Sequence, residues 1–216
     1  MRSFFLCKIF SLSCLTMLLA TSSPAFAQSA NSVDKRPIEI AKKKSFVGDV
    51  VFVRGGFNVF STGLDQMAKK LARRGVSSRI AQHTETSKTV SEIVRHQKKY
   101  GRKPVILIGH SWGANEVIHI ARALQKKRIR VNYMVVFAAT NPPPIPRNVQ
   151  KTTNYYFKTN GWGKPVRRGR GTRGSIRNID LSNVSGMNHF NVEESPKIQR
   201  QVIQNILRYI RRRGKV

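Results

Sequence analysis

Five consecutive residues, Gly109-His110-Ser111-Trp112-Gly113, offer the most direct chemistry in this chain. They follow the aliphatic run Val105-Ile106-Leu107-Ile108 and precede Ala114, where a helical pattern opens. A G-x-S-x-G set between strand and helix makes a turn so tight that side chains two residues either side of the serine would collide. The serine is forced into a strained backbone conformation with its hydroxyl standing clear of the sheet edge. The helix that follows favours negative charge at its N-terminus, and the Trp112 amide is placed to stabilise an oxyanion. A serine hydroxyl is a poor nucleophile until a histidine takes its proton, and that histidine needs an orienting carboxylate. The chemistry implied is attack on an acyl carbonyl, with water then hydrolysing the acyl-enzyme.

On these residues the chain resembles the α/β-hydrolase fold superfamily, on its esterase, lipase and thioesterase side. The resemblance runs from Asp49 to the terminal helix. It implies that Gly55-Gly56-Phe57, just after the first strand, supplies the second oxyanion amide from Gly56 or Phe57. The superfamily's usual His-Gly pair is Arg54-Gly55 here, so that match is one of position and glycine content. The superfamily's chain order of serine, acid, histidine puts the base downstream of Ser111. His83 precedes the serine, His96 and His119 fall in helical stretches, and His110 sits inside the elbow beside Ser111. His189, in Ser185-Gly186-Met187-Asn188-His189-Phe190, lies between the last strand and the terminal helix, the superfamily's position for the base.

The orienting group is less sharply defined. Between Ser111 and His189 stand only two carboxylates, Glu116 and Asp180. Glu116 is five residues past the serine on its helix, facing solvent or a neighbouring polar group. Asp180 leads by elimination, from an atypical place on the final strand. The superfamily carries its acid after the preceding strand, near Thr159-Asn160-Gly161, where Asn160 could orient the imidazole through its amide oxygen. Carboxylates outside the interval, such as Glu193, Glu194 or Asp65, form the third reading.

These residues need a scaffold, and the hydropathy pattern supplies one. Val50–Val53, Val105–Ile108 and Val131–Ala139 read as buried strands. Ser77–Gln82, Asn154–Phe157 and Ile176–Leu181 read as shorter ones. Apolar positions at helical spacing mark Leu64–Leu71, Thr86–Tyr100, Val117–Leu124 and Ile198–Ile210. Strands alternating with helices give an α/β fold: a mostly parallel sheet with helices on both faces, α/β-hydrolase-like and one domain over residues 46–216. Many lipases of the superfamily insert a helical lid after the strand at 131–139. Here Pro142-Pro143-Pro144-Ile145-Pro146 forms a stiff short connector, so a minimal, lidless core with a shallow, open site is expected.

The 216 residues hold 40 Lys plus Arg against ten Asp plus Glu, a formal charge of +30. Forty per cent apolar content argues against disorder. Residues 1–27 read as a secretory signal peptide, with a basic start, an apolar run and Ala25-Phe26-Ala27 at the cleavage site. Residues 28–45 read as a flexible lead-in. The expected product is exported, periplasmic or secreted, with no transmembrane segment. Both cysteines lie inside the signal, so the mature chain has no thiol or disulfide. Removing Arg2 and Lys8 leaves 38 basic residues against ten acidic, a mature charge of +28.

Such a charge attracts polyanions, an anionic envelope surface among them. Arg167-Arg168-Gly169-Arg170-Gly171-Thr172-Arg173 could approach the site rim, although a solvated loop is the default. No recognition-helix, RNP or zinc-finger pattern makes nucleic acid the primary partner. No metal-ligand cluster or phosphate loop is present, so no metal or cofactor is expected. The sequence therefore points to an exported serine hydrolase, taking small-molecule or lipid carboxylic esters in preference to thioesters. The rival reading is a protein of the same fold that lost turnover and binds anionic envelope components.

Overall fold

The computed structural model describes residues 46–56, 61–159 and 163–211. The expected signal (1–27) and lead-in (28–45) lie outside them, as do Phe57 and Asn160. Among the described residues no helix is long and apolar enough to cross a membrane.

The elements alternate as the pattern requires. They are β1 (Asp49–Arg54), α1 (Thr62–Ala72), β2 (Arg79–Gln82), α2 (Thr86–Tyr100), β3 (Val105–His110) and α3 (Trp112–Lys126). Then follow β4 (Tyr133–Phe137), β5 (Lys151–Tyr156), β6 (Ser175–Asp180), a 3-10 turn (Val192–Glu194) and α4 (Pro196–Arg211). The strands form one six-stranded sheet in the order β2-β1-β3-β4-β5-β6, and every pair is parallel. The architecture is α/β, with helices on both faces.

Successive strand residues point to opposite faces, and the core divides accordingly. Val50, Phe52, Ile106, Ile108, Val135 and Phe137 pack with Leu64, Met67 and Leu71 of α1 and with Ile198, Val202 and Ile206 of α4. Val51, Val53, Val105, Leu107, Met134 and Val136 pack on the other face with Ile93 of α2 and with Val117, Ile120, Ala121 and Leu124 of α3. A strand buried on both faces must be largely apolar throughout, which explains the unbroken apolar runs in β1, β3 and β4.

β5 departs from that rule and begins earlier than its sequence suggests. Thr152, Thr153 and Asn154 are buried there, and Asn154 Nδ2 donates to Lys164 O (3.0 Å) and Asn178 Oδ1 (2.8 Å). Hydrogen bonding offsets part of the cost of burial at Asn154 Nδ2 and at Thr153 Oγ1, which accepts from Tyr133 Oη (3.2 Å), while the polarity of these residues hides the strand from a hydropathy reading. β4 is shorter than expected, because Val131 leaves the sheet to bridge Val149. The connection 138–150 between β4 and β5 contains no helix; Ile145 within it bridges Arg168.

The strand order places the site. From β1 the chain goes to β2 on one side and then to β3 on the other. Parallel sheets open a crevice at the carboxyl ends of strands flanking such a reversal. Gly55 follows β1 and Ser111 follows β3, so both sit at that point.

Candidate active site

The turn after β3 has no room for side chains at its glycines. A Cβ on Gly109 would lie 2.2 Å from Gly113 O, and one on Gly113 would lie 2.2 Å from Val53 O. Both clashes are with backbone that cannot rotate away. Gly113→Ala should therefore cost about 3 kcal/mol or more, read as a lowered urea midpoint with an unchanged m value. Ser111 itself adopts φ 56°, ψ −121°, a conformation that costs a non-glycine residue about 1–3 kcal/mol. The strain persists because Ser111 N donates to Phe137 O of β4 (2.9 Å) and Ser111 O accepts from Ala114 N (3.0 Å). The backbone is held on both sides, and the side chain projects from the bend.

What it meets is His189. Nε2 of that ring lies 3.1 Å from Ser111 Oγ, within reach for proton transfer. His189 is buried, and its ring stands edge-on to Phe190 at 5.1 Å between centroids. The other side of the crevice is the Gly55-Gly56 turn. A Cβ on Gly55 would come within 2.9 Å of Ser111 Cβ, and one on Gly56 within 2.8 Å of the Trp112 ring. The turn after β1 thus abuts Ser111 and the first residue of α3. Helix geometry directs the Trp112 N–H outward along the axis, as for any first-turn amide. The Trp112 and Phe190 side chains, 47% and 48% exposed, form an apolar rim.

A buried chain of hydrogen bonds joins the two loops. His110 Nε2 is 2.8 Å from His189 O, and His110 Nδ1 is 3.0 Å from Ser61 Oγ. Ser61 Oγ in turn accepts from Gly55 N at 3.3 Å. A backbone carbonyl only accepts, so Nε2 carries the proton, Nδ1 is the acceptor, and the Ser61 hydroxyl donates to it. Burial pushes the His110 pKa down to about 4, partly countered by the bond to His189 O, so the ring is neutral. Behind it, Glu193 is fully buried, with Oε2 3.7 Å from His110 Nε2. Neither Glu193 oxygen has a hydrogen-bond partner among the described residues. Burial pushes its pKa up to about 8. The close approach is therefore between two neutral groups, not an ion pair.

The structure does not bring Asp180 to His189. Asp180 is exposed at the end of the edge strand β6, and its Oδ1 accepts from Ser182 Oγ (2.6 Å), Ser182 N (3.0 Å) and Lys158 N (3.3 Å). These bonds, the Ser182 hydroxyl first, hold its carboxyl below the usual range. Asp180 ties the start of the β5–β6 loop to the end of β6. The other carboxylates are also engaged elsewhere: Asp65 with Arg54 Nη2 (2.6 Å), Glu116 with Thr86 Oγ1 (2.7 Å), and Glu194 with Thr62 Oγ1. No described carboxylate hydrogen-bonds His189, and Asn160 and Phe57 lie outside the described residues.

The sequence matches no protein-family model and no curated protein. Solved structures do resemble it. One is a protein from Xanthomonas campestris pv. campestris assigned to the alpha/beta superfamily of hydrolases, 12% identical, covering 74% of this chain and 98% of its own, with a TM-score of 0.44. Another is the RedJ thioesterase of the prodiginine biosynthetic pathway in Streptomyces coelicolor, also 12% identical, covering 87% of this chain and 96% of its own, with a TM-score of 0.45. Likeness at this level transfers neither substrate nor site residues.

The Ser61–His110 link and the burial of Glu193 beside His110 escaped the sequence reading, which offers Glu193 only as one acid outside the interval. His110 could be set aside as a base because it adjoins the serine, yet that same position puts it under the loops that carry Gly55 and His189. Glu193 sits in Val192-Glu193-Glu194-Ser195, where nothing distinguishes the buried acid from its exposed neighbour.

Proposed function

We propose that this chain is a serine hydrolase of carboxylic esters. The reading rests on one observation above all: a serine held at positive φ between a parallel strand and a helix, with a buried imidazole nitrogen 3.1 Å from its hydroxyl. In the reaction, His189 Nε2 accepts the Ser111 proton as Oγ bonds to the acyl carbon. The carbonyl oxygen becomes an oxyanion facing the amides of Trp112 and of Gly56 or Phe57. Collapse expels the alcohol, protonated by His189, and leaves an acyl-serine. Water, deprotonated by the same ring, releases the acid and restores the serine.

The exposed Trp112 and Phe190 favour an apolar acyl group lying along the rim. The 138–150 connection adds no helix over the crevice, which suits short esters or esters presented from a surface. The pattern of residues 1–27 places the activity outside the cytoplasm in this proposal, and favours esters over coenzyme A or carrier thioesters.

A fluorophosphonate probe tests the reading directly. Ser111-dependent labelling, abolished in Ser111→Ala and accompanied by ester turnover, is the expected result. A protein that folds, binds anionic polymers and shows neither labelling nor turnover would instead be the non-catalytic form of this fold.

A further inference from the structure

The parallel sheet fixes which charged segments lie far from Ser111. Lys103 precedes β3, Arg130 precedes β4, Arg147 precedes β5 and Arg173 precedes β6. All four are thus at the amino-terminal edge of the sheet, about 20 Å across a six-residue strand from the nucleophile. The Arg167–Arg173 loop, a candidate for the active-site rim on sequence grounds, runs instead to this opposite edge.

Two adjoining cavities, of about 560 and 570 Å³, open along that edge and share Arg128, Ile129 and Arg130. Lys98, Arg102, Lys103 and Lys127 line the first, Arg147 and Arg173 the second. Neither has an acidic lining residue. None of these eight cations makes an ion pair among the described residues. Four of the described carboxylates, Asp65, Glu92, Glu85 and Asp49, pair instead with Arg54, Arg79, Lys88 and His96. A concave run of unpaired like charges repels itself, and an anionic occupant would relieve that cost.

Arg128 adds an independent observation. It holds φ 56° just past the end of α3, with Arg128 N donating to Gln125 O and Ile129 N donating to Leu124 O. This is the helix-ending position where glycine is the default, because other residues are strained there. The chain puts an arginine at this point, in the middle of the groove.

We infer that this groove is a second binding site, separate from Ser111, for a flexible linear polyanion rich in phosphate groups. Five of the eight cations are arginines, whose planar fork matches phosphate oxygens in pairs. The lining contains no aromatic side chain to stack bases, which disfavours single-stranded nucleic acid. The concavity suits a threaded chain better than a flat bilayer.

Long-chain inorganic polyphosphate, fluorescently end-labelled, is the probe, and binding to the purified protein is followed by anisotropy across a salt series. The groove variant Arg128→Gly/Arg130→Gln/Arg147→Gln should bind at least tenfold more weakly, with a shallower dependence on salt. Arg128→Gly also relieves backbone strain, so loss of fold is not expected to produce the effect; circular dichroism checks this. Lys69→Gln/Arg73→Gln/Arg74→Gln removes the same charge from α1 and should change affinity less than threefold. Ser111→Ala should bind as the parent does, which separates this site from the proposed hydrolysis. Equal losses in the two triple variants would overturn the site in favour of diffuse net charge. Groove-dependent binding of phosphatidylglycerol vesicles or duplex DNA, with weaker binding of polyphosphate, would overturn the proposed occupant.

Discussion

Ser111→Ala and His189→Ala should each lower kcat toward nitrophenyl acetate by about ten-thousand- to million-fold, and the double variant should be no slower than the worse single one. In the proposed reaction the two side chains act as one unit, with the 3.1 Å contact as the route by which the hydroxyl would lose its proton. Once either is gone, the other has no partner for the step, and what remains is acceleration by binding and by the oxyanion amides. His189→Ala keeps the backbone carbonyl that His110 Nε2 donates to, so the loop should stay in place and the loss should be chemical. An unchanged melting temperature would check that point. Asp180→Asn is the contrasting arm. Its carboxylate is exposed and bonded to Ser182 and Lys158 N, so the expected loss is less than about threefold, within the range of a surface change. Strictly multiplicative losses in the Ser111/His189 double variant, or His189→Ala within tenfold of the parent, would contradict the proposed base.

The contrast between Ser111 and Asp180 shows where a sequence exposes its site and where it does not. The elbow was legible because its demands are local. Steric exclusion at Gly109 and Gly113 and the flanking strand and helix all act within a few residues. His189 was legible through chain order, a property of topology. The partners of a side chain are neither local nor topological. Asp180 stood at a defensible distance along the chain, but its position on an edge strand turned it toward Ser182 and the start of the β5–β6 loop. The place of the arginine loop, left open by the sequence, follows from topology: the β5–β6 connection starts at the carboxyl end of β5 and must cross the sheet to enter β6 in parallel. Glu193 was concealed because burial depends on α1 and His110 arriving from elsewhere in the chain. Its two flanking residues, Val192 and Glu194, give no hint of that.

Glu193 supplies the clearest test of stability against pH. A carboxyl whose pKa is raised from 4.5 in the unfolded chain to about 8 in the fold holds a proton that the unfolded chain has already lost over that interval. Stability therefore falls as pH rises from about 4.5 to about 8, by roughly 1.4 kcal/mol per unit, and levels off above it. The full span is of the order of 5 kcal/mol. His110 has the opposite sign. Its pKa is lowered from 6.5 to about 4, so its contribution is present above 6.5 and is lost as pH falls toward 4. The two slopes oppose each other between about 4.5 and 6.5, and only the Glu193 loss remains between 6.5 and 8. Glu193→Gln keeps the shape and removes the titration. Its stability relative to the parent should therefore rise steadily from pH 4.5 to 8 and then stay constant, as measured by urea unfolding at each pH. Taking the difference cancels every other titrating group. A buried ion pair across the 3.7 Å gap to His110 would predict the reverse, since removing one partner would strand the imidazolium and destabilise the variant at neutral pH.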